Sequence, residues 1–362
     1  MKSKTDSTIE PMQQALLAWF YEHKRGMPWR TNRTAYRVWI SELMLQQTRV
    51  SQATPYFIQF MKQFPNVKRL AQAHLDQVLK AWEGLGYYAR ARNAHKAANI
   101  ILTTYKGRFP TDPNEIERLP GIGPYTTAAI ASLAFNHPLA VVDGNVIRVL
   151  SRLFAYPKEV QKQEAKKWFQ QKADILLDRD KPGDWNEAMM ELGALICIPK
   201  NPLCDLCPLK LQCDAYNHHE PHTFPLKKAK KRAPCYEVGA GVVRNQSGEV
   251  LIAQRREDQM LGGLWEFPGG KVHEHESIQA CIERELCEEI GISVACTDFL
   301  VRIKHAYSHF SIDMKVYWAT HVTGTPSPIV PQKIKWEAID RLRTYPFSKA
   351  DIKIIEALEK SI

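Results

Sequence analysis

Four cysteines crowd into residues 197–213, and a chain built this way has to fold so that their side chains can meet. Cys197, Cys204, Cys207 and Cys213 follow the spacing C-x6-C-x2-C-x5-C. Thiolates this close in sequence can converge on one centre, and both zinc and a 4Fe-4S cluster accept four of them. Spacing alone leaves that choice open. The other four of the 8 cysteines, Cys235, Cys281, Cys287 and Cys296, are scattered and suggest no second centre. Metal binding is favoured over disulfides because the chain reads as cytoplasmic. Its first residues are polar, without the apolar core of a signal segment. No apolar run approaches the roughly 20 residues that a membrane helix needs.

The cluster closes a long helical stretch. From residue 10 to about 215, apolar residues recur at helical spacing, as in Met12–Phe20, Trp39–Leu45, Val78–Trp82 and Ile130–Leu133. Composition then changes. Lys227, Lys228, Lys230, Lys231 and Arg232 gather among Pro221, Pro225 and Pro234, which reads as a linker. Beyond it the texture is α+β, with alternating or β-branched runs at Val238–Val243, Val250–Ala253, Phe299–Ile303 and Ser311–Trp318. An acidic helix is predicted over Ser277–Ile290, stopped by Gly291, and a second over Lys349–Lys360. The expected organisation is multidomain: an all-α domain over 1–217 containing the cysteine loop, a basic linker over 218–234, and an α+β domain over 235–362. The 49 Lys and Arg exceed the 39 Asp and Glu, for a formal net charge of +10. That excess suits a polyanion through counterion release, although it also serves plain solubility.

Leu119-Pro120-Gly121-Ile122-Gly123 separates two helical segments. Its glycines permit backbone conformations closed to other residues and leave N–H groups open to a phosphate. Val141-Val142-Asp143-Gly144-Asn145-Val146 follows, and an Asp at a helix entrance is ordinarily an N-cap. Taken with the cysteine spacing, these segments resemble the endonuclease III superfamily of helix–hairpin–helix glycosylases. The resemblance implies a 4Fe-4S cluster on the four cysteines, DNA contacts at Gly121 and Gly123, and a catalytic Asp143. Lyase members of that superfamily carry a nucleophilic Lys just after the hairpin. Tyr125 stands there instead, and without an amine it forms no Schiff base with the sugar. A monofunctional enzyme is implied.

Pro28-Trp29-Arg30, Trp39–Thr48 and Trp82–Arg90 narrow the resemblance to MutY-type adenine DNA glycosylases, from about Ala15 to Cys213. Such enzymes remove adenine paired with 8-oxoguanine or guanine in double-stranded DNA, a step of base excision repair. The resemblance makes Glu42 the general acid. Its apolar neighbours support this, since burial raises a carboxyl pKa and keeps its proton near neutral pH. Asp143 is expected to stay ionised and to stabilise an oxocarbenium-like sugar. Gln47 and Tyr87 match the wedge that fills the gap when a base leaves the stack. Trp29, Arg30, Leu45, Tyr125 and Glu187 match the lining of the adenine pocket, and Asn145 a support for the Asp. A monomer without membrane attachment is expected.

Family members ordinarily end in a domain of Nudix fold that recognises 8-oxoguanine without Nudix chemistry. This chain departs from that pattern. Gly270, Glu276 and Arg284-Glu285-Leu286-Cys287-Glu288-Glu289-Ile290-Gly291-Ile292 spell a complete Nudix box. Leu264–Lys271 resembles MutT-type 8-oxo-dGTP pyrophosphatases. Glu285, Glu288 and Glu289 share one helix face and repel one another unless a hard cation such as Mg2+ lies between them. An alternative reading therefore adds Mg2+-dependent hydrolysis of 8-oxo-dGTP. His305–His309 resembles the family loop around 8-oxoguanine and implies lesion contacts for Tyr307, Ser308 and His309. Tyr345–Asp351 resembles the segment that reads the purine edge, with Asp351 as its candidate.

Overall fold

The computed structural model describes residues 6–228, 233–307 and 309–361. Lys230, Lys231 and Arg232 of the expected linker, and Ser308, lie outside the described residues. The chain opens with helices α1 (Asp6–His23), α2 (Ala35–Leu45), α3 (Val50–Gln63), α4 (Val67–Gln72), α5 (Leu75–Ala81) and α6 (Ala89–Thr103). It continues through α7 (Pro113–Glu117), α8 (Pro124–Phe135), α9 (Gly144–Leu153), α10 (Gln163–Leu176), α11 (Pro182–Leu195) and α12 (Asp214–Asn217). Strands β1 (Cys235–Arg244), β2 (Val250–Gln254), β3 (Trp265–Glu266) and β4 (Gly269–Lys271) follow, then α13 (Ile278–Ile290). Strands β5 (Ser293–Ala306), β6 (Ser311–Thr323) and β7 (Lys333–Glu337) precede α14 (Lys349–Lys360). No described helix is long and apolar enough to cross a membrane.

Local chemistry fixes the helix ends that matter. Asp112 caps α7 through the N–H of Asn114, and Pro113 suits the first turn because its N–H would be orphaned there anyway. Gly121, at φ 76°, turns the chain between α7 and α8. α8 ends on Asn136 in the left-handed region. Asp143 caps α9. The apolar face of α9 (Val146, Val149, Leu150, Leu153) packs with Leu16 and Phe20 of α1, Phe169 of α10, and Trp185 and Leu192 of α11. α9 and α11 pass so closely at Gly193 that a Cβ there would lie 2.7 Å from the Cβ of Asn145.

The strands form one mixed sheet in the order β3-β2-β1-β6-β5, with β4 beside β1 and β7 beside β2. β1 runs parallel to β6 from Cys235 opposite Ser311 to Arg244 opposite Thr320, while the other pairs are antiparallel. Alternate residues of the central strands serve opposite faces. Val242, Val250 and Ile252 join Phe347, Ile354 and Leu358 in one core. Val243, Leu251 and Ala253 join Ile282 and Leu286 of α13 in the other. Both faces are covered, which explains why β2 reads as a continuous apolar run.

The compact units do not follow chain order. One gathers the chain up to Ala71 and from Lys96 to the basic segment, and the other gathers Gln72–His95 with the chain beyond that segment. Within the second unit Gln254 donates to Asp76 (3.0 Å), Lys80 to the Tyr345 carbonyl (3.2 Å) and Arg92 to the Gly262 carbonyl (2.5 Å).

Gly193→Ala should cost about 1–3 kcal/mol, as overpacking of a closed interior generally does. Gly26→Ala is the control, since a Cβ there meets nothing within 4 Å. Denaturant unfolding of the two variants side by side checks this.

Candidate active site

α2 is buried along almost its whole length, and Glu42 goes under with its neighbours, only 6% exposed. The Tyr125 hydroxyl, from the first turn of α8, donates to Glu42 Oε2 at 2.5 Å. Asp143 accepts from the Val146 N–H (2.7 Å) and from Asn145 Nδ2 (2.8 Å) at the positive end of α9. These residues border a cavity of about 980 Å3 together with Trp29, Arg30, Leu45, Gln47 and Glu187. The backbone of Gln47 is left-handed, φ 57°, an uncommon state for a side chain with a Cβ.

Burial pushes the Glu42 carboxyl up to about 7, the charges of Asp143 and Glu187 adding to it, while the Tyr125 hydroxyl and Arg30 oppose the rise. Burial also raises the Asp143 pKa, against the bonds from Val146 and Asn145. Both are raised, because both have lost water, and it is the hydrogen bonds to Asp143 that favour its ionised form.

Arg30 holds Glu187 and Glu191 on α11, at 3.1 Å each. Glu187 is also held by Arg33, and Glu191 by Arg25 at 2.8 Å. Burial alone would raise Glu191, but its bonds from Arg25 and Arg30 bring it down to about 2. Sequence reasoning missed Arg25, Arg33 and Glu191. The signal present was the i, i+4 pair Glu187 and Glu191, which puts two acids on one helix face.

The four cysteines of the 197–213 loop line one small cavity with Val149, Leu153 and Leu192. Arg152 lies against it, Nη1 3.3 Å from Cys197 Sγ and bonded to the Ile198 carbonyl at 2.8 Å. Arg148, missed in the sequence, donates to the carbonyls of Cys197 (2.7 Å) and Gly193 (2.6 Å) and to Asn145 Oδ1 (2.8 Å). By distance, no His, Cys, Asp or Glu group among the described residues is drawn together tightly enough to count as a metal site.

The second unit has its own cavity, about 490 Å3, bordered by Gly270, Glu285, Glu289, Tyr307 and Asp351 with Arg255 and Glu266. Glu288 and His309 are not on that border. Glu288 is largely exposed and pairs with Arg284 (3.2 Å), which also holds Glu276 (2.7 Å) and Glu285 (2.9 Å). A Cβ on Gly270 would strike the end of the Glu285 side chain, so a larger residue there would displace that carboxylate. Burial lifts Glu289 to about 7, Glu285 adding its charge, and burial lifts Asp351 to about 6. Tyr307 packs against His305 and Phe310. Tyr87, in the Gln72–His95 segment, is left-handed at φ 49°.

The Glu42 carboxyl should titrate near pH 7, and Tyr125→Phe, by removing the donor that lowers it, should move the midpoint higher. Infrared spectroscopy of the protonated carboxyl band across pH checks both. A Glu42 midpoint unmoved by the substitution would show that the 2.5 Å bond does not favour the charged form.

The profile of the HhH-GPD superfamily of base excision DNA repair proteins matches residues 40–173, and that of the NUDIX domain matches residues 239–357. The human adenine DNA glycosylase is 32% identical over 407 aligned residues, spanning 97% of this chain and 74% of that protein. The adenine DNA glycosylase of Buchnera aphidicola subsp. Acyrthosiphon pisum is 36% identical over 82% of this chain and 83% of that protein. Among solved structures, a thermostable thymine-DNA glycosylase superposes with a TM-score of 0.53 at 27% identity, covering 59% of this chain and all of that one. The chain belongs to the adenine DNA glycosylase family.

Proposed function

We propose that this protein is a monofunctional glycosylase that excises adenine opposite 8-oxoguanine or guanine in duplex DNA. The observation that carries the reading is Glu42 in the 980 Å3 cavity, buried, lifted to about 7 and hydrogen-bonded to Tyr125, with Asp143 beside it on the same cavity. An extruded adenine enters the cavity, and Gln47 and Tyr87 fill the gap it leaves. Glu42 gives its proton to the purine ring, the N-glycosidic bond breaks towards the base, and the sugar is left as an oxocarbenium ion. The Asp143 carboxylate stabilises that cation until water adds to it. Trp29, Arg30, Leu45 and Glu187 shape the pocket, and Asn145 orients Asp143. The hairpin glycines Gly121 and Gly123 offer backbone N–H groups to a phosphate. Tyr307, Ser308 and His309 contact the opposing 8-oxoguanine, with Asp351 on its edge. The protein acts as a cytoplasmic monomer on chromosomal DNA.

Cys197, Cys204, Cys207 and Cys213 hold a 4Fe-4S cluster. Their shared cavity and all-thiol donor set fit that group. When bound, the cluster supplies a rigid four-point anchor for the loop. The purified protein should be brown and should lose its visible absorbance with Cys204→Ser.

A second reading rests on Glu285 and Glu289, which border one cavity, where burial and then the Glu285 charge raise the Glu289 carboxyl to about 7. With Glu288 and the box residue Gly270 they would hold Mg2+ and hydrolyse a purine nucleoside triphosphate such as 8-oxo-dGTP. Pyrophosphate release that needs Mg2+ and disappears with Glu289→Gln would establish it.

For the principal reading, Glu42→Gln and Asp143→Asn should each slow single-turnover adenine release by about 10²–10⁴-fold, the usual contribution of a positioned acid or charge, with DNA binding kept. Strand scission without heat or base would contradict the monofunctional mechanism.

A further inference from the structure

The cavity of the second unit and the loop that carries Tyr87 are tied through one residue. Phe347 precedes Ser348, which caps α14 and donates to Asp351 Oδ2 at 2.6 Å. Asp351 in turn accepts from the Phe267 N–H (3.2 Å), and the Phe267 and Phe347 rings stack with centroids 6.0 Å apart. Ser348, Asp351 and Phe267 all border the cavity.

Both backbone groups of Phe347 are spent on the other side. Its N–H donates to Glu83 Oε1 at 2.9 Å, and its carbonyl accepts from the Tyr88 hydroxyl at 3.4 Å. That hydroxyl also accepts from the Gly84 N–H at 3.1 Å. Lys80 fixes the other oxygen of Glu83 at 2.7 Å and reaches the Tyr345 carbonyl at 3.2 Å. Between the two clamps the chain is wound unusually, with Gly84, Gly86 and Tyr87 all at positive φ. A side chain with a Cβ in that region costs about 1–2 kcal/mol and persists only where its surroundings impose it. Arg90 lies over the rings of both Tyr87 (5.1 Å) and Trp82 (5.6 Å) and bonds the Gly86 carbonyl at 3.1 Å. Phe347 is fully buried in a packed core, and such interiors transmit small displacements instead of absorbing them.

We propose that Glu83 and Tyr88 are positioning residues that couple the lesion contact at Tyr307, on the border of the second-unit cavity, to the Tyr87 loop, so that the lesion sets the wedge. The proposal rests on the reading of Tyr87 as wedge and of Tyr307 as a lesion contact. It assigns discrimination between 8-oxoguanine and guanine to two side chains that hold the loop through the backbone of Phe347.

The test compares single-turnover adenine release from duplexes with adenine opposite 8-oxoguanine and opposite guanine, using the full chain. Glu83→Ala should slow release opposite 8-oxoguanine about tenfold more than release opposite guanine, the worth of one hydrogen bond to a charged group. Glu83→Gln keeps an acceptor for the Phe347 N–H and should restore the preference. Tyr88→Phe, which keeps the ring, should reproduce part of the loss. Rates that fall in parallel on both duplexes, or a preference that survives Glu83→Ala and Tyr88→Phe, would overturn the coupling. A wild-type chain that releases no adenine from either duplex would sink the glycosylase reading itself, and the coupling with it.

Discussion

Helix α9 is the constraint on which the first unit depends, because three different tasks are loaded onto ten residues. Its first turn presents N–H groups that Asp143 caps. Its apolar face fills the core between α1, α10 and α11. Its two buried arginines, Arg148 and Arg152, reach the carbonyls that open the cysteine loop. A buried guanidinium is tolerable where its donors find acceptors, and here they find backbone carbonyls, Asn145 Oδ1 and Cys197 Sγ. Arg148 completes the circuit by holding Asn145, which holds Asp143. The cysteine loop and the Asp143 carboxylate are thus registered against the same helix, one near each end of it.

The electrostatics of the site follow from who is left unpaired. Around the cavity, Arg25, Arg30 and Arg33 are all committed to Asp184, Glu187 and Glu191. That arrangement spends three cations on α11 and leaves Glu42 with a phenol as its hydrogen-bond partner. A neutral donor lowers a carboxyl pKa far less than a guanidinium would, and burial prevails. Tyr125 consequently has two effects. It stands where a lyase carries an amine, and its hydroxyl lowers the neighbouring acid too little to overcome the rise that burial imposes.

Much of this was legible in the sequence. The acidic helix, its Ser277 start and its Gly291 stop, and the last helix appear where capping and periodicity put them, because these signals are local. The Asp143 cap, the hairpin glycines and the cysteine spacing are local too. What could not be read is what depends on distant partners. Arg25 and Glu191 meet across 166 positions, and Lys80 meets Tyr345 across 265. The segment Gln72–His95 has the helical texture of its neighbours, so nothing in its composition announces that it packs with the sheet. Strands β3 and β4 have two and three residues, too few to show an alternation. The behaviour of Asp143 escaped for another reason: residue type gives the charge, but only packing gives the water removed around it.

The membership of Gln72–His95 in the second unit also orders events in time. β1 and β6 pair in parallel, so the sheet has no simple hairpin at its centre and its middle ladder closes only after residue 311 has been made. The loop at Trp82–Tyr88 finds both of its clamps on Phe347. At ribosomal rates the interval between making the two is on the order of tens of seconds. During that time α9 and its core can already assemble, whereas the loop is denied its left-handed winding. A chain interrupted before Phe347 would therefore hold the core around α9 while the Trp82–Tyr88 loop lacks both of its clamps.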